Sequence, residues 1–345
     1  MPLEPIARRF FRFDRWLGAT ALGSGNINDT YRIGFETGTE QPAFLLQRIN
    51  HHIFKDPEGV TQNILAISTH LSRRDYPYRV LLPIAALDGH YLQQDEKGNF
   101  WRAFPYFDNT FVPENLPDPE IAGEAARAYG TFARQLRDFP VSHLTETIPG
   151  FHDTDRRWEA FRQTLEKDPA GRAGPSRPEI EAMMAAKPVF DEISRLKKSG
   201  ALPLRVTHND TKAGNVLFDL DTRKAVAVID LDTVMPGTIL SDFGDMVRTF
   251  VPDQGEDHAG PVALRTDVLE RLQKGFSEAT GDFLTAAEKD SLLLGAAWIT
   301  GEQALRFLTD WLAGDTYYKI RYPEHNLVRA RNQLELFGKV KELAG

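Results

Sequence analysis

Residues 205–230 read RVTHNDTKAGNVLFDLDTRKAVAVID, and the reading of this stretch decides the fold. Two short apolar runs, Val216-Leu217-Phe218 and Ala225-Val226-Ala227-Val228-Ile229, flank polar groups. Brief strands of this kind anchor in a core and present the carboxylates at their ends, an arrangement suited to phosphoryl transfer. A hydroxyl nucleophile sheds its proton as it approaches phosphorus, and a loop carboxylate such as Asp210 can accept it. Asn215 can offer its side-chain carbonyl to a divalent ion, and Asp230, after the second run, can hold the ion that bridges nucleotide phosphates. Lys212 stands between them, where its charge would stabilise the transferred phosphoryl group. Purely local duties also exist for these residues: a cap for Asp210, a loop hydrogen bond for Asn215, an Asx turn for Asp230. The ordered set favours chemistry. His208 is read as shaping the loop, Asp232 is open between a second carboxylate near the metal and a turn residue, and Asp242 reads as a stabiliser at a helix start.

Upstream, ATALGSGNINDTYRIGFETG reads as strand, Gly-rich turn and strand, with Tyr31, Ile33 and Phe35 at alternate apolar positions. Gly23, Ser24 and Gly25 can bring backbone amides close to nucleotide phosphates, although a plain hairpin turn has the same composition. No GXXXXGK[ST] loop or GXGXXG fingerprint is present. Further strands are expected over Pro42–Arg48, Tyr78–Ile84 and Gly98–Phe107, with a helix from Asp56-Pro57-Glu58 to about Ser68. Arg48 is the electrostatic choice for a phosphate contact, since alternation turns only one of Gln47 and Arg48 inward, and Glu58 can orient it. Phe104, Tyr106 and Phe107 can line an adenine cleft. Helices are expected over Asp118–Leu136 and through most of the chain after Asp267, with Glu166–Glu179 as a loop. The fold class that follows is α+β and bilobal: an N-terminal lobe over 1–104 with a small antiparallel sheet, a hinge over 105–109, and a larger mainly helical lobe over 110–345.

Composition narrows the function. With no cysteine, the chain has no disulfide, thiolate metal site or cysteine nucleophile. A formal charge of -8 and the lack of a basic, aromatic track argue against nucleic-acid binding. Leu292–Ile299, among the longest apolar stretches, falls far short of the roughly 20 residues of a membrane span. The N-terminus MPLEPIARRFFRFDRWLG lacks the apolar run of a secretory signal, so a cytoplasmic location is expected. The oligomeric state stays open, with a monomer plausible.

With these residues in view, the sequence resembles the aminoglycoside phosphotransferase and choline kinase superfamily through His208-Asn209-Asp210, Asn215 and Ile229-Asp230. It looks closer to the N-acetylhexosamine 1-kinase branch, through GSGNINDTY from Gly23, LLQRINHHIFKDPE from Leu45, THNDTKAGNVLFD from Thr207, VIDLDTVMPGTILSDFGDMVR from Val228, ALRFLTDWLAGDTYYKI and HNLVRARNQLEL. The resemblance implies a protein-kinase-like fold with a nucleotide-binding N-terminal lobe and a catalytic, acceptor-binding helical lobe. It also implies ATP and Mg2+, with Asp210 as base, Asn215 and Asp230 on the metal, and Arg306 recognising the polar small-carbohydrate acceptor or its phosphate end. It implies attack of an anomeric hydroxyl to give a sugar 1-phosphate. One departure stands out: where the family loop commonly carries an acceptor-binding histidine, this chain has Asn26, whose amide differs in reach and geometry. Glu302, Arg306 and Asp310, four apart on one helix face, read either as an acceptor-side polar surface or as an exposed salt-bridge ladder. Alternatives are a same-fold kinase for another hexose, choline, ethanolamine, homoserine or an aminoglycoside, and an inactive nucleotide-dependent scaffold.

Overall fold

Alternating apolar residues and well-signalled helix starts produce the observed elements. In the computed structural model, which describes residues 3–22 and 27–345, the chain begins α1 (Glu4–Phe10), β1 (Arg15–Ala21), β2 (Asp29–Glu36), β3 (Ala43–Ile49), α2 (Pro57–Ser72), β4 (Gln93–Gln94), β5 (Phe100–Pro105) and β6 (Thr110–Phe111). It continues with α3 (Pro119–Gln135), α4 (Thr154–Lys167), α5 (Arg177–Lys198), β7 (Arg205–Thr207), β8 (Val216–Asp219), β9 (Ala225–Val228) and β10 (Met235–Gly237). The remainder is helical: α6 (Ile239–Phe250), α7 (Thr266–Thr280), α8 (Ala286–Asp290), α9 (Leu292–Ala313) and α10 (His325–Leu343). Two compact units result, one formed by Met1–Phe111, Asp138–Pro149 and Leu217–Pro236, the other by Val112–Arg137, Gly150–Val216 and Gly237–Gly345. The fold is the bilobal, protein-kinase-like one expected: an antiparallel sheet lobe and a mainly helical lobe.

In the first unit a five-stranded antiparallel sheet has the order β1-β2-β3-β5-β4. Its register pairs Ile33 with Phe44, and Leu46 with both Tyr31 and Ala103. Ile33, Phe35, Leu46, Trp101 and Ala103 thereby join Ile6, Ala7 and Phe10 of α1 in one buried cluster. Since successive strand residues point to opposite faces, Gln47, Arg102 and Phe104 belong to the other face. Asp56 caps α2 by accepting the Gly59 amide at 2.9 Å, and Pro57 occupies its first turn, where no hydrogen bond is lost.

The expectation of a strand over Tyr78–Ile84 is corrected. That segment is extended but isolated, contributing one bridge at Ile84 to Ala103 and one bond from the Arg79 amide to Val226 O. Pro77 precedes it and Pro83 lies within it, and neither has the donor a ladder needs. The fifth strand is instead β4, two residues long at Gln93–Gln94.

In the second unit α9 is buried around most of its circumference, as a central helix must be. It meets α6 at a pair of glycines. A methyl group at Gly244 would lie 2.5 Å from the Gly295 carbonyl oxygen, so backbone meets backbone here. The α4–α5 loop is shorter at both ends than the Glu166–Glu179 expected, because α4 runs to Lys167 and α5 starts at Arg177. Among the described residues, no helix is long and apolar enough to cross a membrane.

Candidate active site

Within the helical unit, the segment after β7 folds into a loop closed by a single 3-10 turn at Ala213–Asn215. Asp210 Oδ2 accepts from Lys212 Nζ at 2.8 Å and from Asn215 Nδ2 at 2.8 Å. The same Asn215 nitrogen donates to the Asp210 carbonyl at 2.8 Å. The His208 ring is buried edge-on against Tyr129, centroids 5.3 Å apart, and its Nδ1 accepts the Asp210 amide at 3.3 Å. His208 thus makes the loop-shaping contacts expected of it. Asn209 adopts a left-handed backbone, φ 64°, a conformation asparagine enters more readily than most residues.

Asp242, in the first turn of α6, fixes this loop: its carboxylate accepts the His208 amide at 2.9 Å and the Asn209 amide at 2.8 Å. Thr211 Oγ1 donates to the Asp242 carbonyl at 2.6 Å. Burial pushes the Asp242 carboxyl up to about 6, against those two amides. Burial also pushes Asp210 upward, yet the Lys212 charge and hydrogen bond, His208 and Asn215 together hold it below the usual carboxylate range. Asp210 is therefore ionised at neutral pH.

Along α9 in the same unit, the four-residue series Glu302, Arg306, Asp310 divides into three tasks. Glu302 is 2% exposed; it bonds His152 Nδ1 at 2.8 Å, accepts from Thr154 Oγ1, and lies 3.5 Å from Arg157 Nε. Burial opposes its charge, but His152, Arg157 and Thr154 hold its carboxyl down to about 2. Arg306 donates to Gln303 Oε1 at 3.0 Å and lies over two rings, Phe151 at 5.7 Å and Tyr318 at 5.5 Å. Asp310 folds the following loop by accepting the Thr316, Tyr317 and Tyr318 amides at 2.9, 2.8 and 2.9 Å, which brings Tyr318 to Arg306. It is no exposed ladder. Burial and then the neighbouring Arg306 charge depress the Arg157 pKa, so two guanidiniums crowd one carboxylate. Arg248 on α6 pairs with Asp245 at 2.8 Å and Glu256 at 3.1 Å, and interacts electrostatically with both Asp210 and Arg306.

In the sheet unit, Asp230 follows β9 with a left-handed backbone, φ 59°, and precedes a 3-10 turn at Leu231–Thr233. Asp232 is 2% exposed: Oδ2 accepts from Asn28 Nδ2 at 2.6 Å, and Oδ1 is ion-paired with Arg102. Arg102, 1% exposed, also donates through Nε and Nη2 to Gln47 Oε1 at 2.9 and 2.6 Å. Arg48 lies on the opposite face and is ion-paired with Asp29, its cross-strand neighbour. Glu58 bonds Gln62 at 2.9 Å. Phe104 is buried with the Arg102 guanidinium 5.2 Å from its ring centre, and half-buried Tyr106 lies under Arg32 at 4.9 Å. Gly23, Ser24, Gly25 and Asn26 fall outside the described residues.

Sequence reasoning passed over Arg102 and Asn28 and preferred Arg48 to Gln47. The available signal was Arg102 itself, the one charge inside the apolar strand FWRAFP. The side chains suit a nucleotide and a divalent ion. Asn215 spends its nitrogen on Asp210, which leaves its Oδ1, a hard oxygen of the kind magnesium takes. Arg102 Nη1 is buried without a hydrogen-bond partner among the described residues.

The family model described as the phosphotransferase enzyme family matches residues 18–280. Among solved structures, a microcompartment-associated aminopropanol kinase superposes with TM-score 0.68 at 18% identity, covering 99% of this chain and 98% of that one. A spectinomycin phosphotransferase, solved with ADP and spectinomycin, gives TM-score 0.62 at 15% identity over 99% and 98%. A choline kinase from Cryptosporidium parvum gives 0.60 at 13% identity over 98% and 94%. At these identities the structures share the fold, and their differing acceptors do not choose one for this chain.

Proposed function

Because the chain belongs to the phosphotransferase enzyme family and is an ATP-dependent small-molecule kinase, we propose that its acceptor is a small carbohydrate. The finer reading is the anomeric hydroxyl of an N-acetylhexosamine, converted to a sugar 1-phosphate. The observation that supports the sugar reading is the charge around Arg306 and Glu302, which the proposal takes as the acceptor side. A cationic acceptor such as choline calls for an acid left to receive it or an aromatic cage. Here the buried Glu302 is already committed to His152, Thr154 and Arg157. Arg306 has no carboxylate within ion-pair distance among the described residues, and Gln303 holds one of its donors. Guanidinium and amide groups with spare donors match hydroxyls and an N-acetyl carbonyl. The motif strings quoted above support the N-acetylhexosamine reading, while Asn26 in place of the family's histidine supports another hexose as the second reading.

In this proposal Asp210 takes the acceptor proton as the oxygen attacks the terminal phosphorus of ATP and the bond to ADP breaks. Lys212, with Arg48, balances charge on the transferred phosphoryl group. Asn215 and Asp230 would hold magnesium, which when bound neutralises and orients the nucleotide phosphates. The test is product identification by 31P NMR with ATP, magnesium and a panel of N-acetylglucosamine, N-acetylgalactosamine, galactose, glucose, choline, ethanolamine, homoserine and kanamycin. A sugar 1-phosphate is expected. Hexose 6-phosphate would overturn the anomeric assignment, and preferential phosphorylation of an amine-bearing acceptor would overturn the sugar.

A further inference from the structure

We propose that Arg102 positions the turn carrying Asp230, and that Asp232 is the anchor of that turn rather than a second magnesium ligand. The proposal rests on Asp230 holding the metal.

The reasoning starts from backbone conformation. Asp230 sits in the left-handed region at φ 59°, a conformation that persists at a non-glycine residue when its surroundings impose it. Three ties impose it here. The Val234 amide donates to Leu231 O at 3.1 Å, closing the 3-10 turn. The Val234 carbonyl accepts from buried Asn63 of α2 at 3.0 Å, and Asn63 also donates to Thr145 O at 2.8 Å. Between these, both Asp232 oxygens are taken, one by Arg102 and the other by Asn28.

Each of those partners is itself held. Gln47 receives two bonds from Arg102 and donates to Thr30 Oγ1 of β2 at 2.8 Å. Asn28 accepts the Asn50 amide at 2.9 Å. The Asp232 carboxylate is therefore located by β2, β3 and β5 together, and the residue two positions earlier inherits that precision. A carboxylate 2% exposed, with its charge neutralised by a guanidinium 1% exposed, offers no field and no open oxygen to an incoming cation. Its work is mechanical. Arg48, by contrast, sits on the other sheet face and is bonded to Asp29.

The experiment is a calorimetric titration of magnesium into the protein carrying a nonhydrolysable ATP analogue, with metal-free analogue affinity and thermal unfolding measured alongside. Arg102→Met is expected to weaken magnesium binding about tenfold, the loss typical when a residue behind a metal ligand is removed. Its metal-free nucleotide affinity should change far less. Arg102→Lys, which keeps the charge but loses the two-point hold on Gln47, should fall between, and it serves as the readout if the methionine variant does not fold. Asp232→Asn should weaken magnesium much less than Asp230→Asn. Unchanged magnesium affinity in a folded Arg102 variant, beside an Asp230→Asn that abolishes it, overturns the positioning role. Equal losses in Asp232→Asn and Asp230→Asn overturn the anchor and make Asp232 a ligand. An Asp230→Asn without effect instead sinks the assignment of the metal to Asp230, a separate failure.

Discussion

Lys212 controls the proton affinity of Asp210, and that dependence has a sign. Its charge and 2.8 Å hydrogen bond are the largest influences holding the Asp210 carboxyl down against burial. Lys212→Met should therefore raise the Asp210 pKa, and because Asp210 must be ionised to act as the proposed base, the acidic limb of the pH–rate profile should move to higher pH. A limb that stays in place while turnover falls would limit Lys212 to contacts with phosphate. At Arg306, Arg306→Lys removes the planar fork that holds Gln303 and that, in the proposed function, also meets the acceptor. Acceptor KM is expected to rise by about tenfold with nucleotide KM unchanged, corresponding to roughly 1.4 kcal/mol; steady-state kinetics with each substrate varied checks this. At this scale the sequence was legible where order along the chain carries meaning, as in Asp210, Lys212 and Asn215. It was illegible where the answer depends on strand register. Whether Gln47 or Arg48 shares a face with Asp232 is settled by cross-strand pairing, and no local pattern encodes that.

Helix-start signals were the most readable elements. Asp56-Pro57 and Asp118-Pro119 both open helices, with the aspartate accepting first-turn amides. Alternation predicted β1, β2, β3 and β5, but overread Tyr78–Ile84 because the prolines that spoil its ladder leave its apolar pattern intact. The short α1 has no long periodicity to announce it, and its role in the sheet lobe comes from packing. The glycine contact of α6 with α9 belongs to this scale as well, since α6 carries Asp242 and α9 carries Glu302 and Arg306. Gly244→Ala must push the two helices apart, with an expected loss of about 1–3 kcal/mol. Thermal unfolding should show a lowered midpoint, and acceptor KM should rise more than nucleotide KM. A midpoint equal to that of the parent protein would mean that the helices yield at no cost.

For the whole molecule, stability against acid follows from which buried carboxylates are held charged. Glu302 is held down to about 2, below its ordinary 4.5, so its contribution is complete above pH 4.5 and is lost as pH falls toward 2. Asp242 runs the other way: burial raises it from 3.8 to about 6, so its contribution is greatest below pH 3.8 and is lost as pH rises through 6. Glu302→Gln should lower stability at neutral pH and flatten the decline between pH 4.5 and 2, measurable by urea unfolding across that range. An unaltered pH profile would show that His152 and Arg157 do not hold Glu302 charged.

The pairing of Arg102 with Asp232 also bears on how the protein is made. The two residues are separated by 130 positions, and the stretch Leu217–Pro236 joins the unit that begins at the N-terminus. At about 5–20 residues per second of synthesis, the ribosome needs roughly 7 to 26 s to deliver the acid after the guanidinium. During that interval a nascent sheet would have to bury a cation whose counterion does not yet exist. The first lobe therefore matures only once the turn carrying Asp232 has been translated, and a ribosome-bound chain stalled at residue 216 should leave β5 open to protease.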